Sequence, residues 1–443
     1  MDHVESDYCV VGAGCAGATA ALRIFQAGHT VALLEARDRV GGRVWTQEHS
    51  GIPIDYGGQW LGLGQERAYA LVKELDIRTY PTWTKGHNVF VMSGKVRKYQ
   101  GKIPISLLNL DLVLRQFTKW SDEVPLEAPW TAKRAKEWDS MTVATWINSS
   151  VKSATARKML AALMSGIYTS DPGEVSMLFA LFHAKSCGGI NAILSAEIQS
   201  DRISGGAQLI PEKIAEKLGS SVHLNSPVRR IAQDAKNVVV SSEAVTVRTK
   251  RVIVAVPPSI SSRITYEPVL PADRAMLVQR LPAGTAVKCA AIYNEPFWRG
   301  DGMSGQSIDL DSLVGSTYDG SPPSGLGTLN AFAFGHKARE LARLSSADRK
   351  STFIRQLVKI FGPKASTPVD FVDHNWAEEE WTRGCYMAHW PPGVITEYGC
   401  ALWDPIGRIH WAGTETSTAF NGAIEGAVLS GERAASEAIK AEN

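Results

Sequence analysis

The sequence predicts an α/β protein in which a doubly wound, Rossmann-like domain carries an inserted α+β domain. Three observations support this fold class. A strand, a glycine-rich turn, a helix and a second strand follow one another within residues 8–35, which is how a doubly wound sheet begins. Short apolar strands recur far downstream, at residues 251–256 and 409–412. Two long stretches of different character separate these strands, so we expect the first domain to be discontinuous.

The first βαβ unit is predicted in detail. Tyr8–Val11 is a continuous apolar run, which is typical of a buried parallel strand. Gly12–Gly17 forms a turn, and the helix Ala16–Gln26 follows it. The next strand, His29–Leu34, ends at Glu35, so a carboxylate lies at the carboxyl end of the predicted sheet.

The two intervening stretches differ from this first unit. Residues 81–202 are predicted to be mostly helical, since Met159–Ala184 is rich in helix formers. Residues 278–379 begin with the strand-like run Ala286–Tyr293. Near the end, Gly422–Ile439 repeats apolar residues close to the helical period. The predicted boundaries are 1–80, 203–277 and 380–443 for the first domain, and 81–202 and 278–379 for the second.

Composition and charge narrow the class of protein. The chain has 443 residues, 44% apolar and 21% charged, which is ordinary for a soluble globular protein of two domains. A formal net charge of +2 predicts neither nucleic acid nor an anionic membrane as a partner. No run approaches the roughly 18 apolar residues of a membrane helix, and the acidic start is unlike a signal peptide. The six cysteines form no CxxC pair, which predicts a reducing, cytoplasmic setting without disulfides or a metal site.

The glycine-rich turn predicts a dinucleotide site. Gly12 permits the tight turn, Gly14 lets the backbone approach a pyrophosphate, and Gly17 lets helix and strand pack closely. The start of the helix supplies amide donors and a positive dipole end. Glu35 lies about 20 residues further on, where its carboxylate can accept from both ribose hydroxyls and disfavours a 2′-phosphate. A glycine motif alone is weak evidence, but here every part follows in order.

The residues after Glu35 extend this site. The run Arg37-Asp-Arg-Val-Gly-Gly-Arg43 contains a glycine pair that allows a second close backbone approach. The guanidinium group of Arg43 can donate two parallel hydrogen bonds to a phosphate. A solvated surface position is the alternative for Arg39 and Arg43, and their place beside a predicted pyrophosphate favours binding.

The run Glu35–Arg43 is similar to the FAD fingerprint of the flavin-containing amine oxidases, and the resemblance is closest to the monoamine oxidase branch. It extends over nearly the whole chain. The shared segments are 55–60, 129–130, 137–139, 174–176, 187–189, 295–298, 336–339, 375–376, 411–416 and 425–427. The resemblance implies FAD, oxidation of an amine C–N bond to an imine, and reoxidation by dioxygen to hydrogen peroxide. A small-molecule amine and O2 are the implied partners, and a homodimer is left open.

The resemblance assigns the discontinuous domain to FAD and the inserted domain to the substrate. Cys385, in Arg383-Gly-Cys-Tyr386, matches the cysteine that carries the flavin through a thioether in animal monoamine oxidases. A buried inert thiol is the alternative. The helix that starts near Gly422 is implied to point its N-terminus at the pyrimidine end of the flavin. The other implied cofactor-binding residues are Gly12, Gly14, Gly17, Glu35, Ala36, Arg37, Gly42, Arg43, Gly58, Gln59, Trp60, Val228, Gly413, Thr414, Glu415, Ala423 and Ile424.

Two residues are implied to act on the oxygen side. Lys288 stands inside the apolar run Ala286–Ile292, where burying an unpaired lysine is costly. It matches a lysine that holds a water against flavin N5 and assists the reaction with oxygen; the alternative is a stem that snorkels to solvent. Trp376 matches a tryptophan that encloses that water, and a plain core aromatic is its alternative.

Tyr386 matches one wall of the family's aromatic cage, whose two rings flank the amine. Ala423 occupies the position of the second ring, so half of the usual cage is missing. Phe420 and Trp390 are candidates to replace it. Gly166 stands where a larger apolar side chain is common, and together with Ala423 it predicts room for a bulkier amine.

The implied substrate-binding residues are Gly166, Leu194, Gln199, Tyr318, Phe332, Tyr386 and Ala423. Oxidases of polyamines, amino acids or cyclic secondary amines, such as nicotine-type alkaloids, are the alternatives on the same scaffold. A chromatin demethylase would need a partner-binding module. A non-catalytic flavoprotein would have no use for an oxygen-side lysine.

Overall fold

The computed structural model describes residues 2–101, 108–323 and 325–442. Its strands are β1 (Asp2–Val11), β2 (Val31–Leu34), β3 (Thr46–His49), β4 (Ile52–Asp55), β5 (Trp60–Leu61), β6 (Thr79–Pro81), β7 (His87–Met92), β8 (Lys95–Tyr99), β9 (Asp201–Ile203), β10 (Val222–His223), β11 (Val228–Gln233), β12 (Val238–Ser242), β13 (Val245–Val254), β14 (Thr265–Glu267), β15 (Ala286–Tyr293), β16 (Met303–Asp309), β17 (Ser316–Asp319), β18 (Gly327–Phe334), β19 (Asp370–Asn375) and β20 (Ile409–Trp411).

Its helices are α1 (Cys15–Gln26), α2 (Glu66–Glu74), α3 (Leu108–Asp122), α4 (Ala135–Asp139), α5 (Val143–Ser150), α6 (Ala154–Tyr168), α7 (Met177–Ser186), α8 (Ile190–Ile193), α9 (Leu209–Leu218), α10 (Pro258–Ser261), α11 (Ala272–Gln279), α12 (Phe297–Gly300), α13 (Gly335–Ala342), α14 (Ser346–Phe361), α15 (Val394–Tyr398) and α16 (Ile424–Lys440). Short 3-10 turns cover Pro129–Thr131, Ala196–Gln199, Gly219–Ser221, Pro363–Ser366, Gly399–Leu402 and Thr414–Thr416.

The larger sheet has the order β10–β2–β1–β13–β12–β11–β14, and β20 pairs with the second half of β13. Strands β10, β2, β1, β13 and β20 run parallel, whereas β11, β12 and β13 form an antiparallel meander. The central pair is β1 and β13, in register from Asp2 opposite Val245 to Val11 opposite Val254. The predicted α/β class with a Rossmann-like sheet is confirmed.

Helices α1, α9 and α16 cover one face of this sheet, where they bury Val10, Leu33 and Ile253. The crossing of α1 over the turn is close: a Cβ at Gly17 would lie 1.9 Å from the carbonyl oxygen of Gly12. This position therefore accepts only glycine. The packing brings the N-terminus of α1 to the carboxyl ends of β1 and β2, where ligands bind in open α/β sheets.

The second sheet has the order β19–β15–β18–β17–β16–β7–β8. Strand β15 pairs antiparallel with both β18 and β19, so all of its residues are buried. Because side chains alternate along a strand, Val287 and Cys289 face the core with α13 and α14. Lys288 points to the opposite face, together with Phe332, its partner across the strand pair. That face borders the cavity described below.

Residues 81–202 contain the helices α3 to α8, in agreement with the mostly helical character predicted, and also two strands that were not predicted. The stretch is not only helical, because β7 and β8 form a hairpin through the turn Ser93-Gly94, both at positive φ. The signal for β7 was present in its apolar run Val89–Val91. Met159–Ala184, predicted to be rich in helix, spans parts of two helices: Thr169 adopts a left-handed conformation at the end of α6, and the Ser176 hydroxyl caps α7.

The remaining elements match the sequence predictions within two residues, except that β1 and β13 extend further towards their N-termini. Strand β15 has the predicted bounds. The predicted domain boundaries stay a prediction. Within the described ranges, none of the helices combines the length and the apolar character needed to cross a membrane.

Candidate active site

A cavity of about 1080 Å³ joins the turn after β1 to the face of the second sheet that carries Lys288. Drug-sized ligands occupy cavities of roughly 300–1,000 Å³, so this volume suits a dinucleotide and a small substrate together. The predicted residues that line it are Gly12, Gly14, Glu35, Ala36, Arg37, Gly42, Arg43, Gly58, Gln59, Trp60, Gly166, Leu194, Gln199, Val228, Lys288, Tyr318, Phe332, Trp376, Cys385, Tyr386, Gly413, Thr414, Ala423 and Ile424. Two predicted residues, Gly17 and Glu415, do not line the cavity themselves.

The dinucleotide end is arranged around Glu35. Its carboxylate accepts hydrogen bonds from the backbone amides of Ala13 (2.8 Å) and Arg37 (3.0 Å). These bonds hold the side chain against the glycine turn, and a carboxylate has further lone pairs for ribose hydroxyls. At Gly14 the nearest atoms to an added Cβ are 3.7 Å away, so the backbone there is open to a ligand.

Arg43 lines the cavity, and protein partners hold its guanidinium group. Its two terminal nitrogens donate to Glu415 Oε1 (2.6 Å) and Oε2 (3.0 Å), and one of them also donates to the carbonyl of Tyr386 (2.7 Å). Burial by itself would raise the pKa of Glu415, but the charge and hydrogen bonds of Arg43 lower it below its ordinary value. The pair therefore ties the first dinucleotide motif to the segment that contains Tyr386.

Lys288 is buried and paired, and its stem does not reach solvent. Its Nζ donates to the carbonyl of Gly57 at 3.1 Å and to Gln59 Oε1 at 2.6 Å. Burial lowers the pKa of Lys288 to about 7, although the negative charge of Asp55 acts in the opposite direction. A lysine that titrates near neutral pH can offer either a positive charge or a lone pair to a neighbour in the cavity.

Trp376 and Cys385 stand beside Lys288. The indole nitrogen of Trp376 donates to the carbonyl of Tyr56 at 2.9 Å, which fixes the ring at the cavity wall. The amide of Cys385 donates to the carbonyl of Gly284. Burial raises the pKa of the Cys385 thiol to about 12, with the positive charges of Arg43 and Lys288 opposing it.

The substrate end is an aromatic chamber. Five rings form a continuous row: Trp60, Tyr318, Phe332, Phe334 and Tyr386, with neighbouring centroids 5.2–6.2 Å apart. Aromatic faces attract cations and orient amines. Apolar residues of α6, α8 and the turn after it also line the cavity: Leu160, Leu163, Ile167, Ile193, Leu194 and Ile198.

The position predicted for the second wall of an aromatic cage carries no ring. Ala423 lines the cavity at the start of α16, and Gly166 has nothing nearer to an added Cβ than the Phe334 ring at 3.6 Å. Of the two candidates to replace the missing ring, Phe420 lines the cavity. Trp390 lies in the core around α7 instead, away from the cavity, so its proposed role as a wall is wrong.

Three further residues at or beside the cavity were not predicted to belong to the site. Phe334 follows Phe332 at the strand period, so the alternation along β18 was a usable signal. His183 borders the cavity and bonds the carbonyl of Asn421 at 3.0 Å, and burial lowers its pKa to about 4. Asn330 reaches Gln59 from β18. The last two depend on contacts between distant segments, which the sequence does not display.

The cavity fits a bound dinucleotide cofactor. Several buried polar atoms on its wall have no partner among the described residues: Gln59 Nε2, Trp60 Nε1, Thr382 Oγ1 and Asn421 Oδ1. Native proteins satisfy nearly all buried polar groups, so such atoms indicate a ligand. Glycine turns, a buried carboxylate, a buried lysine and an aromatic chamber in one cavity define a dinucleotide-dependent oxidoreductase.

Comparison with known proteins identifies the family. A family model described as flavin containing amine oxidoreductase matches residues 15–439. Amine oxidase [flavin-containing] A of Equus caballus is 37% identical over 448 residues, covering 98% of this chain and 85% of the horse protein. Putrescine oxidase bound to putrescine has a TM-score of 0.96 at 33% identity, over 99% of this chain and 100% of that one. Cyclohexylamine oxidase from Brevibacterium oxydans IH-35A has a TM-score of 0.94 at 32% identity, over 99% and 100%.

The chain belongs to the family of flavin-containing amine oxidoreductases. It is an enzyme, its cofactor is FAD, and its reaction is the oxidation of an amine. The predictions of family, cofactor and reaction class made from the sequence are thereby confirmed.

Proposed function

We propose that this amine oxidase acts on amines that carry a bulky, ring-bearing group, and that dioxygen accepts the electrons and leaves as hydrogen peroxide. The missing cage wall carries this proposal. Ala423 and Gly166 contribute no ring to the cavity wall, and the aromatic row ending at Tyr386 lines the same cavity. A slim alkylamine would leave part of that cavity unfilled, whereas a flat ring can stack on the row.

The chain's own residues have distinct parts in this reaction. Bound FAD supplies the two-electron oxidant for the C–N bond and returns to its oxidised form with dioxygen. Tyr386 and Phe334 guide the amine by their ring faces. Lys288 holds a water with Nζ and presents positive charge where negative charge develops on oxygen. Trp376 closes the chamber beside it.

The cofactor-binding roles follow from the dinucleotide end. We assign Glu35 to the ribose hydroxyls and the amides at the start of α1 to the diphosphate. Thr414 and the N-terminus of α16 line the same cavity, and a helix N-terminus stabilises negative charge by about 0.3–1 kcal/mol. Glu415 acts by holding Arg43 and the backbone amide of Ala388.

Polyamines are the less favoured alternative. Asp171 and Asp309 line the cavity, but Asp171 is paired with His336 and Arg339. Asp309 accepts from the backbone amides of two residues that follow it. The distal ammonium of a polyamine would therefore have to displace existing partners of both carboxylates. The exposed Asp111 on α3 is the other carboxylate on this part of the cavity that could bind it.

A peroxide-coupled assay over a panel of amines tests the proposal. The panel contains cyclohexylamine, benzylamine, a cyclic secondary amine, n-butylamine and putrescine. We expect kcat/KM for the best ring-bearing amine to exceed that for n-butylamine by about 10-fold or more, the scale of pocket-shape discrimination. A preference for n-butylamine or putrescine would contradict the substrate class. A yellow protein that releases no peroxide with any amine would contradict the oxidase itself.

We also propose a covalent bond between Cys385 and FAD, and a reducing, cytoplasmic setting. Cys385 lines the cavity beside Lys288 and Tyr386. All six cysteines are free and five of them are buried, a usage typical of reducing compartments. Size-exclusion chromatography with light scattering decides whether the chain forms a homodimer.

A further inference from the structure

Lys288 is held by a buried polar network. Its Nζ donates to Gln59 Oε1, and Asn330 Nδ2 donates to the same oxygen at 3.2 Å. All three side chains are at most 4% exposed. Asn330 is two residues before Phe332, the cross-strand partner of Lys288, so Asn330 and Lys288 share one face of the second sheet.

The chemistry of the donors determines the orientation of the Gln59 amide. A lysine ammonium has no acceptor, so the group that faces Nζ has to be the carbonyl oxygen of Gln59. That oxygen receives the Asn330 amide as a second donor, which holds the side chain against rotation. Gln59 Nε2 is left buried on the cavity wall without a partner among the described residues.

Asn330 is itself fixed in place. Gly320 on the neighbouring segment has no side chain, and a Cβ there would lie 2.3 Å from Asn330 Nδ2. The absence of a side chain at residue 320 therefore makes room for the Asn330 amide. The carbonyl of Gly320 accepts from the buried Arg202, so the same turn is anchored on both sides.

We propose that Asn330 is a positioning residue for the reaction with oxygen, which acts by locking the Gln59 amide so that its oxygen faces Lys288. The two bonds from Nζ to Gln59 and Gly57 then leave one tetrahedral position on Nζ for a partner in the cavity. If Asn330 is lost, the Gln59 amide is free to turn and to present its NH2 group to Nζ. This inference rests on the proposed oxygen-side role of Lys288.

Other groups around Lys288 also affect its pKa. Asp55 favours the charged lysine, whereas Arg202 disfavours it, and these two are themselves ion-paired at 3.3 Å. Cys385 lines the same cavity, whereas Cys289 acts from the opposite face of β15. His374 lies opposite Lys288 on β19. None of these groups changes when Asn330 is replaced by leucine, so a shift in that variant reports on the Gln59 amide.

Two substitutions of Asn330 make opposite predictions. Asn330→Leu removes the lock, and the lost acceptor disfavours the charged lysine, so the pKa of Lys288 falls by about one pH unit. Asn330→Asp introduces a negative charge into the network, so the pKa rises by about one pH unit. A purely structural effect would not move the two variants in opposite directions.

The measurement is the pH dependence of flavin reoxidation by dioxygen after reduction with dithionite, which needs no amine. The pH titration of the flavin absorbance in the resting holoenzyme is the second readout, and it needs no turnover. Lys288→Met identifies the transition, because it must abolish the Lys288-dependent step in both readouts. Thr328→Val is the matched control, since Thr328 is buried on the same face of β18 and its hydroxyl has no partner among the described residues.

The inference is overturned if neither readout contains a step that Lys288→Met removes. The inference is also overturned if Asn330→Leu and Thr328→Val have the same midpoint for the Lys288-dependent pH transition. The same holds if both Asn330 variants shift that midpoint in the same direction. These outcomes are separable from a failure of the proposed function. An enzyme that oxidises none of the amines tested would refute the proposed substrate class, while the reoxidation and absorbance titrations would still decide the role of Asn330.

Discussion

The two ends of the cavity are built from different parts of the chain. The dinucleotide end is mostly backbone: the amides at the start of α1, the open turn at Gly14, and Glu35, which is itself held by two backbone amides. The substrate end is made of side chains, since an aromatic row and apolar residues of several helices define its shape. Lys288 stands where the two ends meet.

This difference determines what each end can change without loss of the fold. The dinucleotide end depends on the course of the chain, so a substitution there disturbs bonds that hold the turn itself. At the substrate end a side chain can be exchanged while the sheet and helices stay in place. We therefore expect substitutions at the first end to alter cofactor content, and substitutions at the second to alter which amine is preferred.

The largest effect is expected for Glu35→Ala. The substitution leaves the amides of Ala13 and Arg37 without their acceptor and removes the group assigned to the ribose hydroxyls. A hydrogen bond to a charged group contributes about 1.5–3 kcal/mol, and two ribose hydroxyls lose theirs, so we expect FAD affinity to fall by about 100-fold or more. The ratio of flavin to protein absorbance measures the FAD content of the purified variant. Glu48→Ala, on the exposed part of β3, is the control.

The same variant can break the comparison between the two ends. Reconstituted Glu35→Ala protein should retain the wild-type ratio of kcat/KM for a ring-bearing and a slim amine. A changed ratio would mean that the dinucleotide end also shapes the substrate chamber.

The junction is tested next, with Lys288→Met. Loss of the charge beside the oxygen site should slow flavin reoxidation by about 100-fold, and flavin reduction by amine much less. The wild-type reoxidation rate should fall as pH rises through the Lys288 pKa, because the positive charge is lost there. Stopped-flow traces of both half-reactions test this role of Lys288. The control is Lys250→Met, which removes a lysine at the exposed surface. Equal losses in both half-reactions would contradict the role.

The contrast between the ends also explains what the sequence could reveal. The dinucleotide site lies within residues 12–43 in unbroken order, so local spacing was enough to predict it. The network of Lys288, Gln59 and Asn330 joins segments 229 and 271 residues apart, and the pairing of β15 with β18 creates it. No local pattern encodes that register.

The strands β7 and β8 and the break after α6, which the sequence analysis did not predict, have a similar cause. Strands β7 and β8 extend a sheet whose other members begin about 200 residues later, so tertiary pairing decided their conformation. The break after α6 depends on Thr169, whose hydroxyl donates to the carbonyl of Cys385 at 2.5 Å. That contact fixes a turn that a helix-rich composition cannot disclose.

A smaller effect is expected at the substrate end, from Ala423→Tyr. A ring at this position refills the missing wall, so preference should move from ring-bearing amines towards slim primary amines by about 1–3 kcal/mol. Gly166→Leu should act in the same direction, because residue 166 lines the cavity and a larger side chain there would fill part of it. The ratio of kcat/KM for cyclohexylamine and n-butylamine measures both, while FAD content stays constant. An unchanged ratio would show that residue 423 does not face the amine.

The smallest effect on turnover is expected for Cys385→Ala, which sharpens the comparison because Cys385 borders both ends. Acid precipitation should leave the yellow colour in the pellet of the native enzyme and release it from Cys385→Ala. Cys400→Ala is the matched control, since Cys400 is exposed and its replacement should leave the colour bound.

The formation of the bond should depend on pH. Only the thiolate form of Cys385 can attack the flavin, and burial raises the pKa of Cys385 to about 12. Attachment of FAD to the apoenzyme should therefore accelerate roughly tenfold per pH unit between pH 7 and 9, as the thiolate fraction rises. Free FAD in the supernatant of the native enzyme would refute the bond, and a pH-independent rate of attachment would show that a neighbouring base takes the proton from the thiol.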